Sequence, residues 1–156
     1  MRHWVLGAVV LGVVAVGVIA AASALAGGSQ AGSAMTVKVV EHATTDAVTE
    51  TGKKGDSAGD LLTFANAVYN AANTSKVGSD NGWCIRTVVG KSWECFWTTS
   101  LANGQITVEG PFVDSGDSKL AITGGTGGYA TARGWMLLHA RNDKGTEYDF
   151  VFHLSG

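Results

Sequence analysis

Short apolar runs alternate with turn residues along most of this chain. From Thr36 onward, eight segments are rich in Val, Ile, Thr, Phe, Tyr or Trp, and the gaps between them contain Gly, Asn, Asp and Ser. This pattern is typical of β-strands joined by turns. The predicted strands span residues 36–44, 60–68, 75–88, 92–101, 104–112, 118–124, 129–141 and 145–154.

The links between the predicted strands are mostly short, so neighbours in sequence become neighbours in a sheet. Residues 102–104 contain an Asn-Gly hairpin signal, and residues 142–145 form a short turn with glycine. Closure into a barrel removes the free edges of a sheet that no helix covers. We therefore predict an all-β fold, an eight-stranded antiparallel up-and-down barrel of the calycin type, with a two-sheet sandwich as the alternative. The interior of such a barrel is filled by side chains or holds one small ligand.

The first 26 residues follow a different pattern. Arg2 and His3 precede an uncharged run over residues 4–26, which ends in the small-x-small pattern that a signal peptidase recognises. This pattern predicts an export signal, and the length of the run leaves an uncleaved N-terminal membrane anchor as the alternative. In either case we expect a secreted or cell-surface protein, with a flexible spacer over residues 27–35 and one barrel domain over residues 36–156.

Composition and charge narrow the class of partner. The chain has 156 residues, 22 of them glycine, and 15% are charged, which suits one globular domain with its own core. The formal net charge is −2, and no cluster of basic residues in the sequence extends beyond Lys53 and Lys54. Nucleic acid is therefore not an expected partner, because phosphate backbones are bound by basic surfaces.

Two cysteines, Cys84 and Cys95, flank the sequence CIRTVVGKSWEC. A hairpin centred between Val89 and Gly90 places them directly opposite each other on neighbouring strands, at a separation that a disulfide spans. An exported protein meets an oxidising environment, so we predict a disulfide between them, with two free thiols as the alternative. Their number and spacing do not suit a zinc or CxxC redox site.

Four segments carry a resemblance to a known family. GDLLTFANAVY, VGSDNGWC, GQITVEGPF and LAITGGTGGYATARG resemble the allene oxide cyclase family and its barrel relatives, which include plant dirigent proteins and bacterial polyketide cyclases. The resemblance covers residues 37–134 and implies an eight-stranded antiparallel barrel with a ligand-binding lumen. It also implies a hydrophobic small-molecule substrate and no metal or organic cofactor, and it allows a homotrimer.

Position by position, the resemblance implies a candidate catalytic site. Glu41 matches the family's charge-stabilising glutamate, and Asn66 matches an asparagine that helps to hold a water on the epoxide oxygen. The second water-holding asparagine is replaced by Ala43, and the proline of the following loop is missing, since Pro111 is the only proline of the chain. The water site is therefore incomplete for allene oxide chemistry.

Strand alternation predicts which side chains face the barrel interior. If Cys84 points inward, so does Arg86, and Cys95 then brings Trp93 and Trp97 inward with it. The resemblance adds Phe64, two residues before Asn66, and Phe112 after the Gly-Pro pair. The predicted substrate-binding side chains are Phe64, Arg86, Trp93, Trp97 and Phe112.

These residues also have structural interpretations. Glu41 and Arg86 could neutralise each other as an ion pair, which would lower the pKa of the glutamate. Asn66 could cap a backbone group in the turn that follows it. The inward tryptophans could fill the barrel and leave no cavity.

Several other chemistries find no support in the sequence. His42, His139 and His153 lie on separate predicted strands without ligand spacing, so no metal site is predicted. The glycines of LAITGGTGGYATARG precede no helix, which argues against a nucleotide site. No serine lies in a G-x-S-x-G elbow, so a hydrolase triad is not expected.

The leading prediction is a cyclase or isomerase without a cofactor. Its lumen would bind an epoxide, polyene or polyketide and steer a stereoselective cyclisation, because a confined substrate is ordered on binding and not at the barrier. Glu41 is the predicted charge stabiliser, and Asn66 holds an oxygen or a water. The alternative is a non-catalytic module, either a lipophile carrier or a dirigent-like helper that orients radicals made by a separate oxidase. A barrel with a purely structural, filled interior is the third interpretation.

Overall fold

The computed structural model of the chain describes residues 34–155. Nine antiparallel strands account for most of this region, and a short 3-10 helix, Gly127–Tyr129, accompanies them. The predicted signal segment, residues 1–26, and residues 27–33 of the spacer lie outside the described residues. The strands are β1 Met35–His42, β2 Ala47–Thr49, β3 Leu61–Asn70, β4 Lys76–Val88, β5 Ser92–Leu101, β6 Gly104–Val113, β7 Ser118–Gly125, β8 Arg133–Ala140 and β9 Glu147–Ser155.

Eight of the nine strands form a closed barrel, as predicted. From β3 to β9 each strand pairs with its neighbour in sequence, and β1 closes the ring by pairing with both β9 and β3. The connections are up and down throughout, so the two-sheet sandwich is excluded. Within residues 34–155, no helix reaches the length and hydropathy that a membrane crossing requires.

The strand β2 was not predicted, and it matters for the site. It is three residues long and fully exposed, so it carries no apolar alternation that a sequence could reveal. β1 pairs with residues 67–70 of β3, whereas β2 pairs with residues 61–63 of the same strand. The chain thus leaves the barrel wall after β1, makes a short excursion over residues 43–46, and returns to the wall as β2.

Two boundaries differ from the prediction for local reasons. The predicted strand over residues 129–141 begins only at Arg133, because the glycine-rich segment before it forms the 3-10 helix and buries Tyr129. Gly127 begins this helix with a φ of 58°, a left-handed conformation that glycine adopts readily. The first predicted strand ends at His42 instead of residue 44, where the excursion to β2 begins.

The inward-facing residues follow the predicted alternation. Cys84 pairs with Cys95 across β4 and β5, and Arg86 pairs with Trp93 two residues further along. All four are buried, as are Ile106 and Val108 of β6 and Leu120 and Ile122 of β7. At Gly82, opposite Trp97, a Cβ atom would collide with the tryptophan backbone and Cβ, so glycine allows the close approach of β4 and β5 at this point.

Candidate functional site

The barrel interior is largely filled by side chains but retains a small cavity. We call this space, of about 50 Å³, the inner cavity. Aromatic rings form much of its wall: Phe64 and Trp97 meet edge to face with centroids 6.0 Å apart, and Trp97 and Phe150 lie 5.5 Å apart. The inward aromatic rings therefore fill most of the interior, and the inner cavity is the space that they leave. The lining consists of Glu41, Asp46, Leu62, Phe64, Cys84, Cys95, Trp97, Phe112, Leu138, Tyr148 and Phe150.

A wider space adjoins the inner cavity at one end of the barrel. We call this space, of about 420 Å³, the outer recess; its wall includes the loop after β6 and the turn between β8 and β9. Phe112, Leu138 and Tyr148 line both spaces. The rings of Phe112 and Tyr148 meet edge to face at 6.0 Å. This aromatic pair therefore lies at the boundary between the outer recess and the inner cavity.

Glu41 borders the inner cavity and is held there by Asn66. The Nδ2 atom of Asn66 donates one hydrogen bond to Glu41 Oε1 at 2.8 Å and another to Asp46 Oδ1 at 2.8 Å. Glu41 is 5% exposed and Asn66 is 2% exposed. Asp46 reaches the cavity because it ends the excursion between β1 and β2. One amide group thus fixes two carboxyl groups at the cavity wall.

The carbonyl oxygen of Asn66 organises the same excursion. Oδ1 accepts hydrogen bonds from the backbone N–H groups of Thr44 and Thr45, both at 3.0 Å, and from Thr45 Oγ1 at 2.9 Å. Both Nδ2 hydrogens and the oxygen are therefore occupied. In this arrangement Asn66 has no donor left for a substrate oxygen or a water. It does cap backbone groups, but those of the loop after β1 and not of the turn after β3.

Asp80 adds a third carboxyl group to this cluster. It lies opposite Asn66 in the pairing of β3 with β4, is 1% exposed, and accepts a hydrogen bond from the Asn66 backbone N–H at 3.3 Å. Burial raises the pKa of Asp80 to about 7, although hydrogen bonds from Glu41 and from the Asn66 backbone partly offset this effect. Burial also raises the pKa of Glu41 well above its usual range, and the charge of Asp80 raises it further.

Both raised pKa values favour retention of a proton by the pair of Glu41 and Asp80. Among the described residues, no donor forms a hydrogen bond to the buried Oδ2 atom of Asp80. A proton on Glu41 supplies the missing donor and removes the repulsion between two buried anions. Burial also raises the pKa of the Tyr148 hydroxyl, and the negative charges of Glu41 and Asp46 raise it further. Burial and mutual repulsion therefore favour one retained proton on the pair of Glu41 and Asp80 at the edge of the inner cavity.

Arg86 and Trp93 face inward, as predicted, but lie away from the inner cavity. Arg86 Nε contacts Asp56 at 2.6 Å, Arg86 Nη1 contacts Asp114 at 2.6 Å, and the guanidinium lies 4.0 Å above the centre of the Trp93 ring. The ion pair between Glu41 and Arg86 is not formed. Strand alternation gives the direction of a side chain but not its depth along the barrel, and these two residues lie where the loops of one barrel end supply carboxylates.

The predicted disulfide is present in the wall of the inner cavity. Cys84 and Cys95 are bonded, with their Cα atoms 4.0 Å apart, and the described residues contain no free cysteine. The interpretation as two free thiols is therefore wrong. The bond joins β4 to β5 directly beside the aromatic wall and fixes the register of the central hairpin.

Of the predicted site residues, the structure brings Glu41, Phe64, Trp97, Phe112 and the two cysteines to one cavity, with Asn66 directly behind Glu41. Sequence reasoning missed Asp46, Asp80 and Tyr148. Asp80 lies four residues before Cys84 on β4, so strand alternation predicts that both side chains point into the barrel. Asp46 lies in an irregular loop, where alternation gives no signal. Within residues 34–155, no three His, Cys, Asp or Glu side chains are arranged to hold a metal ion.

Comparisons with known proteins agree with this architecture. Pyocyanin demethylase superposes with a TM-score of 0.66 at 25% identity, over 76% of this chain and 100% of that chain. A pterocarpan synthase dirigent protein gives 0.65 at 18% identity, over 81% and 99%. The exo-specific intermolecular Diels-Alderase AbnU gives 0.64 at 15% identity, over 80% and 100%. The last two likenesses show the shared barrel fold. A family model described as allene oxide cyclase matches residues 34–150, and the chain therefore belongs to the allene oxide cyclase family.

Proposed function

We propose that this protein is a cyclase or isomerase that needs no cofactor and controls the stereochemistry with which one hydrophobic molecule closes a ring. The observation that carries the proposal is Glu41, a buried carboxyl group at the edge of an aromatic cavity inside the barrel. A polar group that can donate a proton into an otherwise apolar space is costly for stability, and such groups are typical of functional sites.

The chemistry follows from the protonation state of Glu41. When a substrate binds, the proton retained by Glu41 turns from Asp80 to an epoxide or carbonyl oxygen of the substrate and polarises that oxygen while the ring forms. Most of the surrounding wall is apolar, so this interaction is stronger than it would be in bulk water. Asn66 acts as a positioning residue, because its amide fixes the direction of the Glu41 carboxyl group. Phe64, Trp97 and Phe150 restrict the substrate to one conformer.

The dimensions of the site bear on how a substrate binds. Ligand pockets usually have volumes of about 300–1,000 Å³, far more than the inner cavity offers. The outer recess, of about 420 Å³, falls within that range. We propose that the substrate occupies both spaces, with its reacting oxygen near Glu41 and the remainder in the outer recess. Movement of Phe112 and Tyr148 would join the two spaces.

The test uses the pure full chain with candidate epoxides, polyenes and linear polyketides, and chiral chromatography of the products. We expect a single stereoisomer without any added oxidase. Glu41→Gln should slow the reaction by at least about tenfold, since one general acid contributes roughly a hundredfold or more. Trp97→Ala should lower the stereoselectivity. Glu109→Gln is the matched control, because Glu109 is an exposed residue of β6 that lines neither space.

A dirigent-like helper is the second candidate. The observation that favours it is the outer recess, which is open at the barrel end and offers most of the available volume. A radical pair made elsewhere could be oriented there without any contact with Glu41. Under this alternative, stereoselective product forms only when an oxidase is present, and Glu41→Gln leaves the selectivity unchanged. These two results together would overturn the cyclase proposal.

We also propose that the protein is exported. The disulfide between Cys84 and Cys95 supports this, since such bonds persist outside the reducing cytosol. Sequencing the N-terminus of protein recovered from the culture medium tests both export and cleavage after Ala26. The homotrimer stays a prediction, which light scattering of the purified protein can measure.

A further inference from the structure

Acidic side chains line both the outer recess and the inner cavity, the two spaces that a ligand crosses to reach Glu41. Asp46 borders the inner cavity beside Glu41, whose raised pKa favours its neutral form and leaves Asp46 as the charged group there. Around the outer recess, three more carboxyl groups come from the loop after β6 and from the turn between β8 and β9. These are Asp114, Asp117 and Asp143. A ligand that enters the barrel therefore passes carboxyl groups whichever of its ends goes in first.

Basic side chains contact two of these carboxyl groups, Asp114 and Asp117, and within residues 34–155 no ion pair includes Asp46 or Asp143. Among the described residues, no Lys or Arg lines either space, and His139 is the one basic side chain that does. The Nδ1 atom of His139 contacts Asp117 at 2.7 Å. Arg86 reaches Asp114 from the barrel interior, but it is 8% exposed and shares its charge with Asp56. Asp46 contacts an uncharged partner, the amide of Asn66.

The aromatic pair at the boundary adds a second attraction for positive charge. Phe112 and Tyr148 line both spaces, and their rings meet edge to face. The face of an aromatic ring attracts a cation, more strongly where water is excluded. A cleft with low-dielectric walls also concentrates the field of the charges that line it. The carboxyl groups and the aromatic rings therefore both attract a positively charged ligand.

We infer that this site selects hydrophobic ligands that carry a cationic nitrogen and rejects ligands of the same length that carry a carboxylate. The inference rests on the proposed function only in that it requires a ligand to bind in the barrel. It concerns the substrate class and not the reaction. Since both spaces are acidic, the selection does not depend on which end of the ligand reaches Glu41.

Three straight-chain probes test the inference by titration calorimetry with the full chain. Decylamine, decanol and decanoate share the same tail and differ in the charge of the headgroup at pH 7. At about 20 mM salt we expect decylamine to bind at least about tenfold more tightly than decanoate, with decanol between them. The difference should shrink at about 0.5 M salt, because ions screen exposed charges beyond a few ångströms.

Single substitutions test which carboxyl groups cause the preference for decylamine over decanoate. Asp143→Asn and Asp117→Asn should each reduce the preference for decylamine over decanoate severalfold. Glu94→Gln changes the net charge by the same amount, but Glu94 is an exposed residue of β5 that lines neither space, so the preference should remain. Decanoate binding as tightly as decylamine, or a preference that Glu94→Gln reduces as much as Asp143→Asn, would overturn the inference alone. Binding of none of the probes would instead contradict the proposed ligand-binding lumen.

Discussion

The Nδ2 atom of Asn66 lies 2.8 Å from the Oε1 atom of Glu41, and both side chains are buried inside the barrel, where they project from the paired strands β3 and β1. This hydrogen bond links the stability of the fold to the chemistry of the site. Asn66 also ties down the excursion that carries Asp46, and its backbone binds Asp80. A single amide therefore organises the polar part of an otherwise apolar interior.

Asn66→Leu should destabilise the protein strongly. Leucine has a similar volume but makes none of the hydrogen bonds, so the buried Glu41 and the exposed Asp46 each lose a donor, and the backbone N–H groups of Thr44 and Thr45 lose their acceptor. A buried group left without its hydrogen-bond partner costs about 1–3 kcal/mol, and we expect a loss of at least about 2 kcal/mol in the free energy of unfolding. Urea titration measures it. Asn81→Leu is the control, since Asn81 is exposed on β4, and it should change stability by less than about 0.5 kcal/mol.

Stability should fall as the pH rises from about 4 to 7. The pKa of Asp80 is about 7 in the folded protein, and an aspartate in an unfolded chain has a pKa of about 3.9. Between these values the folded state holds a proton that the unfolded state has lost, so unfolding becomes easier as the pH increases. One retained proton gives a slope of up to about 1.4 kcal/mol per pH unit. Urea midpoints measured across this range test the slope.

Asp80→Asn should flatten that pH dependence, because asparagine stays neutral throughout. Glu41 keeps part of the slope, since its own pKa is raised. Asp143→Asn removes an exposed carboxyl group of the outer recess and should leave the slope unchanged. Equal slopes for the wild type and Asp80→Asn would show that the pair of Glu41 and Asp80 does not retain a proton on folding.

Arg86→Lys should weaken the barrel end without changing the inner cavity. A lysine keeps the charge but cannot bridge Asp56 and Asp114 with separate nitrogens or lie flat on Trp93. We expect a loss of about 1–2 kcal/mol in unfolding free energy. The pH dependence assigned to Asp80 should persist in this variant. Its disappearance would show that Arg86 acts on the buried carboxyl groups after all.

Phe112→Ala should join the inner cavity to the outer recess. Removal of the ring opens the boundary beside Tyr148, so bulkier probes should bind severalfold more tightly than they bind the wild type. The loss of a partly buried ring should also cost about 2–3 kcal/mol of stability. Phe96→Ala is the control, because Phe96 is partly exposed and contacts Trp83 on the outer wall. Equal binding of bulky probes to both variants would count against a barrier at Phe112.

Reduction of the disulfide should lower the unfolding temperature. Cys84 and Cys95 are 11 residues apart in sequence, and closure of such a short loop stabilises by roughly 2–3 kcal/mol. Thermal unfolding with and without dithiothreitol measures the effect. The double variant Cys84→Ala, Cys95→Ala should show no further shift on addition of the reductant.

Local patterns in the sequence were sufficient for most of the fold. Alternation and turn signals located all eight barrel strands to within a few residues, and they placed Cys84 opposite Cys95 in the observed register. These features depend on contacts between residues that are close in sequence or directly opposite in a hairpin. The excursion that ends in Asp46 was missed because a three-residue exposed strand has no apolar pattern.

The sequence by itself determined that the chain forms a barrel, which side chains face inward, and that Glu41 is a buried acid. Only the tertiary structure decided what those inward groups contact: Arg86 binds Asp56 and Asp114, whereas Glu41 accepts a hydrogen bond from Asn66. The physical reason is that alternation along a strand decides only whether a side chain points into or out of the barrel. The depth along the barrel depends on strand stagger and closure, which join residues far apart in the chain.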